Sequence, residues 1–147
     1  MLINTYDIDG VIYMGEDLDG LRPNVNDVII TGRSIEEKKE TEIVLNKKGI
    51  KNNVFYNQLP FDEKSRESSG VHKGNIIKML QEDGFEIGIH FEDDPIQAEE
   101  IKKICPDVNV VLIVHELVTK ENVKREYDDQ GELVSETLFV EEEVLIV

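Results

Sequence analysis

The sequence predicts an α/β protein built on a mainly parallel sheet covered by helices. Three observations predict it. Short apolar runs, each about a strand long, alternate with charged segments of helical spacing. Those charged segments open and close on readable helix signals. The alternation stops only near the C-terminus, where a turn-rich segment separates two strand-like runs.

The elements follow in order. Residues 1–8 form the first apolar run and end in Asp7-Ile8-Asp9-Gly10. Residues 27–31 form the second and end in Thr31-Gly32-Arg33. A helix then opens on a capping box, Ser34 with Glu37, and runs to about Lys48, where Gly49 stops it. The third strand is 53–56, followed by a polar loop over 59–70. The spacing of Ile76, Ile77 and Leu80 predicts a helix over 72–82, ended by Gly84. The fourth strand, 86–91, runs into Glu92-Asp93-Asp94-Pro95. Pro95 suits the first turn of a helix that continues through Ile96, Glu100, Ile101 and Ile104 to Pro106. The fifth strand is 108–115. Runs 124–127 and 132–139 then flank Asp128-Asp129-Gln130-Gly131 as a β-hairpin, and 143–147 reads as a last short strand. The 147 residues fit one domain, with a core of about 1–118 and a hairpin extension over about 119–147.

Composition narrows the class. Hydrophobic residues are 39% of the chain, enough for a single core. The 32 acidic and 16 basic residues leave a net charge of -16, a field that disfavours a nucleic-acid partner because no Lys/Arg block offsets it. Cys105 is the one cysteine, so no intrachain disulfide can form, which fits a reducing cytoplasm. The N-terminus shows no signal peptide, and the longest apolar run, 108–114, is too short to span a bilayer. The expectation is a cytoplasmic protein with no membrane partner.

In open parallel sheets, ligands bind beyond the carboxyl ends of the strands. Four predicted strands place chemistry there or at the start of the following helix: Asp7 and Asp9, Thr31, Lys73, and Asp93 with Asp94. Gly10 permits the bend that lets two carboxylates two residues apart serve one site. With Asp93 and Asp94 they form an oxygen-rich set that suits Mg²⁺ and a substrate phosphate. Thr31 can donate a hydrogen bond to a phosphoryl oxygen, and Lys73 can neutralise developing charge. One carboxylate can attack phosphorus while the other serves as general acid and base.

Tyr6-Asp7-Ile8-Asp9-Gly10-Val11 resembles the first motif of the haloacid dehalogenase-like (HAD) superfamily. Val28-Ile29-Ile30-Thr31-Gly32-Arg33 resembles the second, Lys73 sits where the third-motif lysine is expected, and Phe91-Glu92-Asp93-Asp94 resembles the acidic fourth. The order along the chain agrees, and the similarity covers roughly residues 1–115. The resemblance implies a Rossmann-like three-layer sandwich and a Mg²⁺-dependent phosphatase of phosphate monoesters. By it, Asp7 is the nucleophile and Asp9 the general acid/base, and the Asp9 backbone carbonyl is a metal ligand. Thr31 and Lys73 hold the phosphoryl group. The metal set is then Asp7, Asp9, Asp93 and Asp94, with Asp93 favoured over Asp94. Family caps enter after the first motif or between the second and third. Residues 11–26 leave only a flap, and 31–73 hold one helix, one strand and one loop, so no true cap is expected. Capless relatives tend to take large substrates or borrow a neighbour to close the site.

Local alternatives attach to several of these residues. Asp7 and Asp9 are also turn formers, and Thr31 is also an ordinary strand residue. Asp94 can be the N-cap of the next helix, with Gln97 completing a capping box. Lys73 can be a solvated helix lysine, with Lys64 or Lys78 in its place. Arg33, Lys64 and Arg66 are expected as solvated surface charge, with contact to substrate as the alternative. His90 is read as a strand residue rather than a ligand, and 141–143 as a solvated acidic segment. The alternative function is a catalytically silent HAD-like module that binds a phosphorylated or protein partner. A receiver-like phospho-acceptor domain would need its acids, Thr and Lys in another order.

Overall fold

The computed structural model describes residues 1–16, 18–120 and 122–139. Five strands form one sheet: β1 (Leu2–Tyr6), β2 (Val28–Ser34), β3 (Val54–Asn57), β4 (Glu86–Glu92) and β5 (Asn109–Leu112). Their order is β3-β2-β1-β4-β5, and every neighbouring pair is parallel. The chain therefore builds outward from β1 on one side, then returns to build on the other. That reversal creates a crevice beyond the carboxyl ends of β1 and β4.

Side chains alternate along each strand, so one strand feeds two cores. Ile29 packs with Tyr6, Ile8, Val44 and Leu45 on the face covered by α1 (Lys38–Lys47). Val28 and Ile30 pack with Ile77, Leu80 and Ile101 on the face covered by α2 (Arg66–Glu82) and α3 (Pro95–Ile104). Fully buried Ile77 and Ile101 each stabilise that layer by about 1.5–3 kcal/mol. The fold is Rossmann-like α/β, as expected.

The predicted caps and stops recur with local adjustments. The Ser34–Glu37 capping box is present and opens a short 3₁₀ turn, Ile35–Glu37, ahead of α1. Helix α2 begins at Arg66 instead of 72, because Ser65 caps it in a reciprocal pair with Ser68. The stretch reads as a loop from its polar Ser, Glu and Lys content, and glycine weakens an isolated helix by about 1 kcal/mol. Gly70 and Gly74 have a packing role instead. A Cβ on Gly70 would lie 2.7 Å from the Glu100 Cβ, and one on Gly74 would lie 2.8 Å from the Ile104 side chain, so α2 and α3 meet in close approach.

Strand β5 is shorter than predicted. It stops at Leu112, and the chain then turns His115 back toward the sheet's carboxyl edge. Residues 11–26 contain no helix and no strand beyond isolated bridges at Asp9–Tyr13 and Tyr13–Asp19, among the described residues. The hairpin forms as read, from β6 (Asn122–Tyr127) and β7 (Leu133–Phe139), antiparallel and separate from the main sheet. Asp128 shapes its turn by accepting from the Gln130 and Glu132 backbone N–H groups. Lys47 of α1 pairs with Glu132, which ties the hairpin to the body. The expected strand over 143–147 and the acidic segment 141–143 lie outside the described residues. No described helix is long and apolar enough to cross a membrane.

Candidate active site at the carboxyl edge of the sheet

The crevice between β1 and β4 gathers most of the residues singled out by sequence. Asp7 follows β1 directly, and its backbone N–H bonds the Phe91 carbonyl at 3.1 Å, which ties it to the end of β4. Gly10 turns the chain away with φ +84°. A Cβ there would lie 1.9 Å from Asp93 Oδ2, so only glycine lets the two acidic segments approach so closely.

Lys73 reaches in from α2 and is buried. Its ammonium lies 2.7 Å from Glu92 Oε1 and 3.0 Å from Asp7 Oδ1. It is therefore no solvated lysine. Burial opposes its charge, but Asp7 and Glu92 outweigh that and raise its pKa above the ordinary value. Asp7, Glu92 and Asp93 each offer an oxygen within 4.8 Å of the others. Burial and repulsion from Glu92 raise Asp7 well above the usual carboxylate range despite Lys73. Burial and the two neighbouring acids push Asp93 to about 8.

Two histidines brace this cluster. His90 is fully buried on β4, and burial with the nearby Lys73 charge lowers its pKa to about 3, so it is neutral. Its Nε2 lies 3.2 Å from Glu92 Oε1 and its Nδ1 2.7 Å from Thr5 Oγ1. The carboxylate can only accept, so Nε2 carries the proton and Thr5 donates to Nδ1. His115 accepts the Leu117 N–H at Nδ1 and donates from Nε2 to Asp93 Oδ2 at 3.0 Å.

Asp9 and Asp94 stand apart from the cluster. Asp9 accepts two bonds from Arg33, at 2.7 and 2.9 Å, and one from Arg125 Nη1 at 2.9 Å. Burial would raise its pKa, but the two guanidiniums override this and hold it far below the usual range. Asp94 caps α3 by accepting the Ile96 N–H at 2.9 Å and pairs with Arg66 at 2.6 and 2.8 Å. The Gln97 side chain donates to the Asp94 carboxylate, so Gln97 does not complete a capping box through the backbone. Thr31 is buried within β2, with Oγ1 accepting the Arg33 N–H at 3.0 Å, and is not among the residues that line the cleft.

Arg33 and Lys64 correct the expectation of solvated charge. Both are buried: Arg33 is held by Asp9, Thr41 and the Tyr127 hydroxyl, and Lys64 by Glu37 and the Gly32 carbonyl. Sequence reasoning also left Glu92 and Arg125 unassigned. Glu92 had a signal, since an acid directly before Asp93 at the end of a buried strand needs a partner. Arg125 had none, because only the fold brings the hairpin to the crevice.

One cleft is lined by Asp7, Asp9, Lys73 and Asp93 from the main body and by Thr119, Lys120, Val123 and Arg125 from the C-terminal segment. The chain matches no protein-family model, no curated protein and no solved structure.

Proposed function

We propose that this protein is a Mg²⁺-dependent phosphohydrolase of the HAD type, acting on phosphate monoesters, with no cap domain and Asp7 as nucleophile. The observation that carries the reading is the buried Asp7–Glu92–Asp93 cluster around Lys73 at the reversal point of the parallel sheet.

The donor set fits a divalent ion. Three buried carboxylates face one ammonium, and the raised pKa values of Asp7 and Asp93 express the unbalanced negative charge. Asp7, Asp93 and Glu92 would hold Mg²⁺, which would offset that charge and the repulsion between the acids and a phosphate. Asp9 and Asp94, included in the metal set by sequence, are instead engaged by arginines.

The chain's own residues support a two-step displacement. An Asp7 carboxylate oxygen attacks phosphorus, the bond from phosphorus to the ester oxygen breaks, and the leaving oxygen takes a proton from Asp9. Water then attacks the phosphorus of the aspartyl-phosphate, gives its proton to Asp9, and frees phosphate and the Asp7 carboxylate. Lys73 supplies positive charge beside Asp7 throughout. Asp9 as held is a carboxylate, ready as a base; its acid role requires that substrate loosen the guanidinium grip and that Asp9 then take a proton from solvent.

That grip is also the observation favouring the second reading, a silent module that binds a phosphorylated or protein partner. Phosphate release from a panel of esters, with Mg²⁺ and with EDTA, separates the two. The phosphatase reading expects metal-dependent release that Asp7→Asn abolishes while the fold survives. Release retained by Asp7→Asn sinks the mechanism, and silence across the panel from a folded, Mg²⁺-binding protein favours the module.

A further inference from the structure

The cleft has two poles of opposite charge. Toward β4 lie the three carboxylates and Lys73. Around Asp9 the balance reverses. Arg33, Arg125 and Lys64 surround the single Asp9 carboxylate, with Glu37 behind Lys64, and Lys120 lines the same cleft. This local positive excess sits in a chain of net charge -16. Arg33 and Arg125 are both 6% exposed and share the Asp9 carboxylate, with neutral hydroxyls of Thr41 and Tyr127 on Arg33 and the half-exposed Glu136 near Arg125 as their further partners. Asp9 Oδ1 serves both arginines at once. Desolvation on that scale is offset only in part by Asp9 and by the solvent-facing Glu136.

We propose that the Asp9 pole is an anion subsite, so that the substrate is a small molecule carrying a second phosphate on the part that leaves. The inference rests on the phosphatase reading for the fate of the first phosphate. Guanidinium forks match phosphate oxygens, and Arg125 is the most available of them. It gives Asp9 one bond, while its Nη2 lies 3.6 Å from Glu136 Oε1, a contact at the solvent boundary. Its guanidinium stays oriented over the Tyr13 ring, 5.4 Å from the centroid. A second phosphate arriving here takes N–H donors from Asp9, so that Asp9 can take up a proton from solvent and deliver it to the leaving oxygen. Arg125 belongs to β6, so the hairpin is part of the substrate site. A small molecule is favoured over a polyanionic chain because the whole-protein charge repels an extended polyanion.

The test is a series of alkanediol bisphosphates of increasing chain length, each compared with the monophosphate of the same diol. For at least one length, kcat/KM for the bisphosphate should exceed that for the monophosphate by about tenfold or more, the effect of one or two charge-assisted hydrogen bonds. Arg125→Ala should collapse that ratio toward one, and Arg125→Lys should keep part of it. Equal rates for both esters at every length in the wild type overturn the subsite and leave the phosphatase standing. So does an Arg125→Ala protein that loses both substrates in equal measure. If no ester turns over, calorimetric binding of the same compounds decides. A bisphosphate preference lost in Arg125→Ala upholds the subsite while the phosphatase falls, and no preference overturns the subsite. An oligonucleotide with a terminal phosphate that outcompetes every bisphosphate overturns the small-molecule assignment.

Discussion

Lys73 is the residue on which the site's electrostatics turn. It is the one buried cation between Asp7 and Glu92, and removing it strands both acids. Lys73→Met should cost about 3–5 kcal/mol in urea unfolding at neutral pH, the cost of breaking a buried ion pair from one side, and less in acid. A loss below about 1 kcal/mol would mean the carboxylates are already solvated or protonated. Asp93 makes a pH prediction with a definite sign. Its pKa is about 8 in the fold, against an ordinary carboxylate value of about 3.9 in the unfolded chain. The folded protein therefore holds a proton there that the unfolded chain releases, so this contribution to stability declines as pH rises from about 4 and is gone above about 8. Asp9 and Asp94 have the opposite sign, but their contribution is complete once pH exceeds the unfolded carboxylate range. Thermal melts of metal-free protein between about pH 5 and 8 should thus fall more steeply in wild type than in Asp93→Asn. Parallel slopes would contradict the assignment.

At the scale of elements, the α2–α3 contact is set by two glycines, Gly70 at the end of the expected loop and Gly74 inside the expected helix. Gly70→Ala should gain about 1 kcal/mol of helix propensity and lose about 1–3 kcal/mol to overpacking, for a net destabilisation. The backbone of Gln97, 2.9 Å from the added methyl, has little room to yield. Denaturant unfolding checks this, and a stabilised Gly70→Ala protein would show that the helices separate freely. The consequence reaches the site, because α2 carries Lys73 and α3 begins at the Asp94 cap. Motion of one helix against the other shifts the ammonium relative to Asp7. The hairpin acts at the same scale: β6 delivers Arg125, and Tyr127 at its end contacts Arg33.

For the whole molecule, charge is the dominant fact. A net charge of -16 makes the compact state self-repelling, and the carboxylate cluster concentrates part of that charge in the crevice. Mg²⁺ should therefore raise Tm beyond what NaCl of equal ionic strength achieves, by selective binding to the folded state. The excess should vanish in a Glu92→Gln/Asp93→Asn double variant. An identical rise with both salts would point to screening alone and would remove the metal from the site.

The sequence by itself determined the local and periodic features. Apolar alternation specified the strands, the Ser34–Glu37 box opened the first helix, and Asp7, Lys73 and Asp93 were found through their positions at strand ends and at the following helix. These features depend on neighbours in the chain or on regular periods, so they are legible without a fold. The tertiary structure decided which charges face one another. It paired Asp9 with Arg33 and Arg125, turned Asp94 into a cap bound to Arg66, and gave the third carboxylate of the cluster to Glu92. It also made residues 66–71, Gly70 among them, helical, since an opposing helix compensates for weak local propensity. The physical reason is common to all of these. Burial and pairing are set by separations in space, and the sequence separation of 116 between Asp9 and Arg125 leaves no mark in local sequence.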